Sequence, residues 1–129
     1  MPLLSPREVK TITLAVAATS VTRATIITPT AGTRVRIISV SVAAHALTTD
    51  PGRVGVYFGT GAAYATNTTT VIGEIEFHKK DTTYSGYEVI GPFAIDNGPI
   101  GAKDAVVSWA TEIETETAMR VTVVYTEEV

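Results

Sequence analysis

Apolar and polar positions alternate with a period of two along most of this chain. In residues 9–16, Ile12, Leu14 and Val16 fall on one side and Thr11, Thr13 and Ala15 on the other, the pattern of a strand with one buried face. Residues 21–28 form a β-branched run that stops at Pro29-Thr30-Ala31-Gly32, a turn cluster. From Arg34 the alternation restarts, with Arg34 and Arg36 facing one way and Val35 and Ile37 the other. Beyond Ile38 it continues with Val40, Val42 and Ala44 against Ser39, Ser41 and Ala43. The adjacent pair Ile37-Ile38 breaks the phase, which predicts a β-bulge or a strand that passes between two environments.

The second half repeats the style. Asp50-Pro51-Gly52 is a turn, residues 54–58 a strand, and residues 62–70 a small, threonine-rich loop. Residues 71–78 alternate with Val71, Gly73, Ile75 and Phe77 inward, and Lys79-Lys80-Asp81 reads as the next turn. Strands are predicted over 84–90, 105–111 and 118–126, the last with Met119, Val121, Val123 and Tyr125 inward. The only stretch favouring helix, 42–47, is under two turns long, too short to stand alone. The expectation is an all-β fold of about eight strands. Its long connections favour a jelly-roll-like two-sheet β-sandwich over an up-and-down barrel.

At 129 residues the chain is one domain, because two cores would each be marginal in size. Residues 1–10 are read as an N-terminal arm and residues 11–129 as the sandwich. With 45% hydrophobic and 18% charged residues the composition is not that of a disordered segment, and no apolar run is long enough for a membrane helix. Arg7 and Lys10 ahead of residues 14–18 resemble a signal peptide only superficially, since Glu8, Thr11 and Thr13 interrupt the pattern. The absence of cysteine excludes disulfides, thiol nucleophiles and thiolate metal sites.

The net charge of −3 argues against a dedicated nucleic-acid binder, and it conceals an asymmetry. Residues 1–64 carry six basic side chains and two acidic ones, whereas residues 65–129 carry four basic and eleven acidic. The simpler reading is that the halves interleave in one sandwich and pair their charges locally. The sharper one is a bipolar subunit whose acidic side meets a neighbour's basic side.

Chemistry-bearing constellations are few. His45 and His78 are far apart, and none of Ser39, Ser41, Ser85 and Ser108 sits in a nucleophile-elbow motif, so no enzyme is expected. Glu74, Glu76 and His78 share one face of a strand, as Glu112, Glu114 and Glu116 do if extended. A solvent-facing strand and a charged sheet edge account for both without a metal. Gly59 and Gly61 lack the Lys-Ser/Thr of a phosphate loop, and Asn67-Thr68-Thr69 matches the glycosylation sequon by composition alone. No cofactor is expected. Of the aromatics, Trp109 reads as core, and Tyr64, in the small-residue loop, is the best exposed candidate for stacking on a sugar.

The stretches 35–42, 56–61, 90–93, 105–109 and 120–128 together resemble the small jelly-roll structural proteins of tailed-bacteriophage virions. The likeness spans roughly the last three quarters of the chain and is a style of strand and turn with no functional residue in it. It implies a non-enzymatic capsid decoration or shell-stabilising protein, made in the host cytoplasm and resident on the capsid surface. Its partners would be the major capsid protein, or another virion protein, and copies of itself, as a homotrimer. The alternative it leaves open is a host-receptor or carbohydrate-binding module. In either case no membrane or nucleic-acid partner is implied. The arm supplies the candidate partner-binding residues: Leu3 and Leu4 as apolar contacts, Arg7 and Lys10 as charges for an acidic surface.

Overall fold

The computed structural model describes residues 8–17, 23–47, 53–61, 64, 70–76, 79–80, 83–112 and 118–129. These hold nine strands: β1 (Lys10–Ala17), β2 (Ala24–Ile27), β3 (Arg34–Leu47), β4 (Arg53–Phe58), β5 (Val71–Glu76), β6 (Lys79–Lys80), β7 (Thr83–Ile90), β8 (Val107–Thr111) and β9 (Ala118–Glu128). They form two antiparallel sheets, a five-stranded one in the order β1-β9-β3-β7-β6 and a four-stranded one in the order β2-β8-β4-β5.

The pairing explains the order. β1 pairs with β9, β2 with β8, β3 with β7 and β4 with β5, each antiparallel. This is one long hairpin of paired strands, folded so that alternate pairs fall in opposite sheets, which is a jelly roll. The expected all-β sandwich of about eight strands is therefore present, with the two-residue β6 as an extra hairpin arm in place of the turn read at Lys79-Lys80. Residues 42–44, within the stretch whose alanines favoured helix, continue β3.

The inward positions interdigitate between the sheets. Val35, Ile37, Val40, Val42, Val121 and Val123 come from the five-stranded sheet, and Val54, Val56, Val107 and Trp109 from the four-stranded one. All are fully buried. Packing two half-apolar faces together removes both from water, at about 25 cal/mol per Å² of apolar surface.

The phase break in β3 is a bulge. Against β9 the register shifts between Ile37 and Ser39, so that Val35 and Ile37 before it and Val40 and Val42 after it all point inward. The two sides of the break also meet different neighbours. Residues 40–47 pair with β7, whereas beside Arg36 the 98–101 segment takes that place: Ile37 N–H donates to Pro99 (2.9 Å) and Gly101 N–H to Val35 (3.0 Å). Gly98 allows this approach, because a Cβ there would run into the Ile37 carbonyl.

Candidate interaction face

The side chains that β1, β9, β3 and β7 turn away from the core form an ordered surface. The register aligns Thr13, Thr122, Ser41 and Val89 in one row and Ala15, Arg120, Ala43 and Tyr87 in the next. Val124 and Ser39 begin a third row beside Thr11. Within these rows the side chains are small or uncharged around one cation, Arg120, while toward the start of β3 the same face carries Arg34 and the Arg36–Glu128 pair. Tyr87 is 66% exposed and Val89 41%, large apolar surface for positions in the middle of a strand. Across this face Thr13 and Thr122 bring their hydroxyls to 3.0 Å.

The other sheet is covered on its outside. Of the outward positions of β4 and β8, Gly55, Tyr57, Ser108 and Ala110 are all buried, and only Arg53 at the start of β4 is exposed. The Tyr57 ring lies back along its own strand over Gly55, where a Cβ would meet the phenol. The Arg23 guanidinium covers the ring from outside, 3.9 Å from its centroid, where the ring's negative face attracts it. Arg23 is held there by its backbone N–H, which donates to Gly61 (3.3 Å), and the Ser108 hydroxyl donates to the Gly59 carbonyl (2.5 Å).

Charges of the two halves of the sequence meet within the fold, as the simpler reading of the asymmetry expected. Glu127 accepts from Lys10 Nζ (2.8 Å) and from the Thr30 N–H and hydroxyl (2.9 and 2.8 Å). The hydrogen bond from Lys10 is the main cause that holds its carboxyl below the usual range, with the Thr30 donors adding to it. Arg36 grips Glu128 with Nε (2.6 Å) and Nη2 (3.2 Å) and donates from Nη1 to the Gly98 carbonyl (3.0 Å). At the opposite end Arg53 faces Glu74 at 3.9 Å, and Glu112 accepts from the Arg53 N–H (3.1 Å).

Of the sequence-derived partner-binding residues, Lys10 is the first residue of β1 rather than part of a separate arm, and Glu127 already engages it. Leu3, Leu4 and Arg7 lie outside the described residues, as do His78, Asn67, Glu114 and Glu116. Among the described residues no three acidic or histidine side chains come together as a metal site would require. Glu74 and Glu76 are exposed on β5.

Trp109 is core, as read. Tyr64 is not the exposed aromatic expected. It is half-buried beside Arg53 and Glu74, and burial first, then the Glu74 charge, pushes its phenol pKa up to about 12. Among the described residues the exposed ring is Tyr87. The sequence offered no cue to it, since Tyr87 and Val89 alternate with Gly86 and Glu88 and so read as an apolar row. A separate open cleft of about 340 Å³, lined by Phe58, Ile100, Ala102 and Ala105 among others, carries no charged side chain.

No protein-family model, curated protein or solved structure matches the chain.

Proposed function

We propose that this protein is a non-enzymatic structural subunit of a tailed-phage virion, one that decorates and stabilises the capsid shell. The observation that carries the reading is the outer face of the five-stranded sheet. Its middle rows are built of threonine, serine, alanine and valine around Arg120, and it bears exposed Tyr87 and Val89 at one side, with its charged pair Arg36–Glu128 confined to one end. Such a face loses little on leaving water: it has few charges to desolvate and few long side chains to immobilise. A tyrosine at its rim is the kind of anchor that protein interfaces favour. The jelly roll is an architecture that capsid proteins use, and the resemblance in strand and turn style points the same way.

In this reading the open face lies on the shell, and the apolar Leu3 and Leu4 with Arg7 add a second contact. Antibody labelling of particles from the source phage, viewed by electron microscopy, tests it. Label is expected at regular positions over the head, and a label-free head in particles whose lysate contains the protein overturns it. A Ser41→Glu/Ala43→Glu double variant, which places two carboxylates on the open face, is expected to fold normally and to fail to bind heads that lack the native protein. Exposed Tyr87 also favours a second reading, in which the ring stacks on a sugar of a host surface. Glycan binding lost in Tyr87→Ala would support that reading.

A further inference from the structure

Among the described residues the two sheets end in four strands, and three of them carry features that discourage another strand from pairing there. β2 is four residues long with a register shift between Thr25 and Ile27, β5 displays exposed Glu74 and Glu76, and β6 is a two-residue Lys-Lys strand. Short length, bulges and edge charges are the usual protections against edge-to-edge pairing. β1 has none of them. It runs eight residues, Lys-Thr-Ile-Thr-Leu-Ala-Val-Ala, in unbroken register with β9, and its one charge, on Lys10, is neutralised at the strand end by Glu127.

The backbone groups on that free edge can be assigned. The 98–101 segment bonds to Val35 and Ile37 on either side of Arg36, so the N–H and C=O of Arg36 turn the other way, toward Thr126 of β9. Along β9 the even-numbered residues therefore face β3 and the odd-numbered ones face β1, where Tyr125, Val123 and Val121 meet Lys10, Ile12 and Leu14. It follows that Thr11, Thr13 and Ala15 point their N–H and C=O groups away from the sheet. The close approach of the Thr13 and Thr122 hydroxyls agrees, since such pairs stand closer where the backbones are not bonded to each other.

We infer that β1 is a self-association edge, on which the β1 strand of a second copy pairs antiparallel to join two five-stranded sheets into one. A two-fold axis at Leu14 places Thr13 opposite Ala15, Thr11 opposite Ala17 and Ile12 opposite Val16 of the second copy. Every residue then faces an uncharged one, and the half-buried Ile12 and Leu14 row of one copy continues into that of the other. The two Lys10 side chains stand about 27 Å apart along the strands, well beyond the screening length of about 8 Å at physiological salt.

An edge of that length on a sandwich with sheets about 10 Å apart gives roughly 500 Å² per copy, near the lower bound for a specific interface. The dimer is thus concentration-dependent. A ring such as the trimer implied by resemblance would need β1 to meet a different edge; three of those are the protected ones, and the stretch of β7 beyond its two-residue pairing with β6 carries exposed Glu88. The inference concerns β1 alone and does not depend on virion membership.

Sedimentation velocity over a concentration series, read with circular dichroism and thermal midpoints, tests it. The wild-type protein is expected to pass from monomer to dimer. Thr13→Lys and Ala15→Lys, which set like charges across the axis, are expected to weaken association by about tenfold or more with the fold unchanged. Thr13→Pro removes an outward donor while sparing the β1–β9 ladder and is expected to do the same. If the proline variant unfolds, the two lysine variants carry the test. The Ser41→Glu/Ala43→Glu variant is expected to dimerise normally, which separates this edge from the face proposed to meet a shell. A monomer at every concentration, a trimer, or a dimer that persists in both lysine variants overturns the inference.

Discussion

On the four-stranded sheet the outward positions Gly55, Tyr57, Ser108 and Ala110 are buried, while on the five-stranded sheet Thr13 and Val89 lie exposed at equivalent places and Thr122 and Ser41 are partly so. Both sets alternate with core residues along their strands, so strand geometry alone treats them alike. The difference comes from what lies over them. One sheet has Arg23, tied to Gly61, laid across its outside, and its aromatic turns inward on the strand. The other has no such cover among the described residues, and its aromatic stands in water. A sheet buried on both faces belongs to the stability of the domain, and a sheet buried on one leaves a face free for other work.

The sharpest way to break this contrast is to truncate each tyrosine. Tyr57→Ala is expected to cost about 3–5 kcal/mol of unfolding free energy, because a buried ring leaves a cavity. Tyr87→Ala is expected to stay within about 0.5 kcal/mol. Urea unfolding midpoints of the two variants read the difference directly, and equal losses would erase it.

Adding volume gives a second, smaller contrast. Gly55→Ala must displace the Tyr57 ring from beneath Arg23 and is expected to cost about 1–3 kcal/mol, whereas Ala43→Val on the open face stays within about 0.5 kcal/mol. Removing the cover itself, Arg23→Gln, forfeits the cation over the ring and is expected to lower stability by about 0.5–2 kcal/mol, measurable by the same titration.

The smallest effects come from protons, and they act on both the acid and the alkaline side. Glu127, on the open sheet, has its carboxyl held down, chiefly by Lys10, so its contribution is present above about pH 4.5 and is lost as pH falls through its lowered folded value. Tyr64, beside the covered sheet, is raised from 10.0 to about 12, so its contribution is present below pH 10 and is lost as pH climbs toward 12. Lys10 is raised as well, mainly by its hydrogen bond to Glu127, and Tyr125 by burial; both add to the alkaline limb. In unfolding measurements across pH, Glu127→Gln is expected to flatten the acid limb, and Tyr64→Phe to lessen the alkaline one.

The longer strands were legible from their alternation or β-branched runs, whereas the two-residue β6 read as a turn, and the bulge was legible because Ile37 and Ile38 cannot both point inward without one. The jelly-roll order was legible only as a style, since pairing between β1 and β9 is a contact across most of the chain with no local signature. The burial of Tyr57 and Ser108 was not legible. Their alternation with Val56 and Val107 assigns them to the outside, and nothing in those residues records that Arg23 and the Gly59–Gly61 turn lie over them. Tyr64 misled for the same reason: a loop of small residues suggested exposure, but the phenol is half-buried and interacts with Arg53 and Glu74. The partner-binding residues rested on the arm's composition, and of these Lys10 proves to be committed within the domain.

The clasp between Lys10 and Glu127 joins residues 117 apart in the chain, and that separation sets a schedule for synthesis. A ribosome adding about 5–20 residues per second makes β1 wait roughly 6–23 seconds for the strand that pairs with it. β3 waits for β9 as well, so the five-stranded sheet cannot close by growing from its first strands. During that interval both edges of β1 are unpaired, and its sequence, uncharged after Lys10, is open to any extended chain nearby, including the same segment on a neighbouring ribosome of the polysome. The protein is thus expected to depend on chaperones that hold nascent chains more than a helical domain of the same length would, and to aggregate first through β1 when expressed faster than they can serve it.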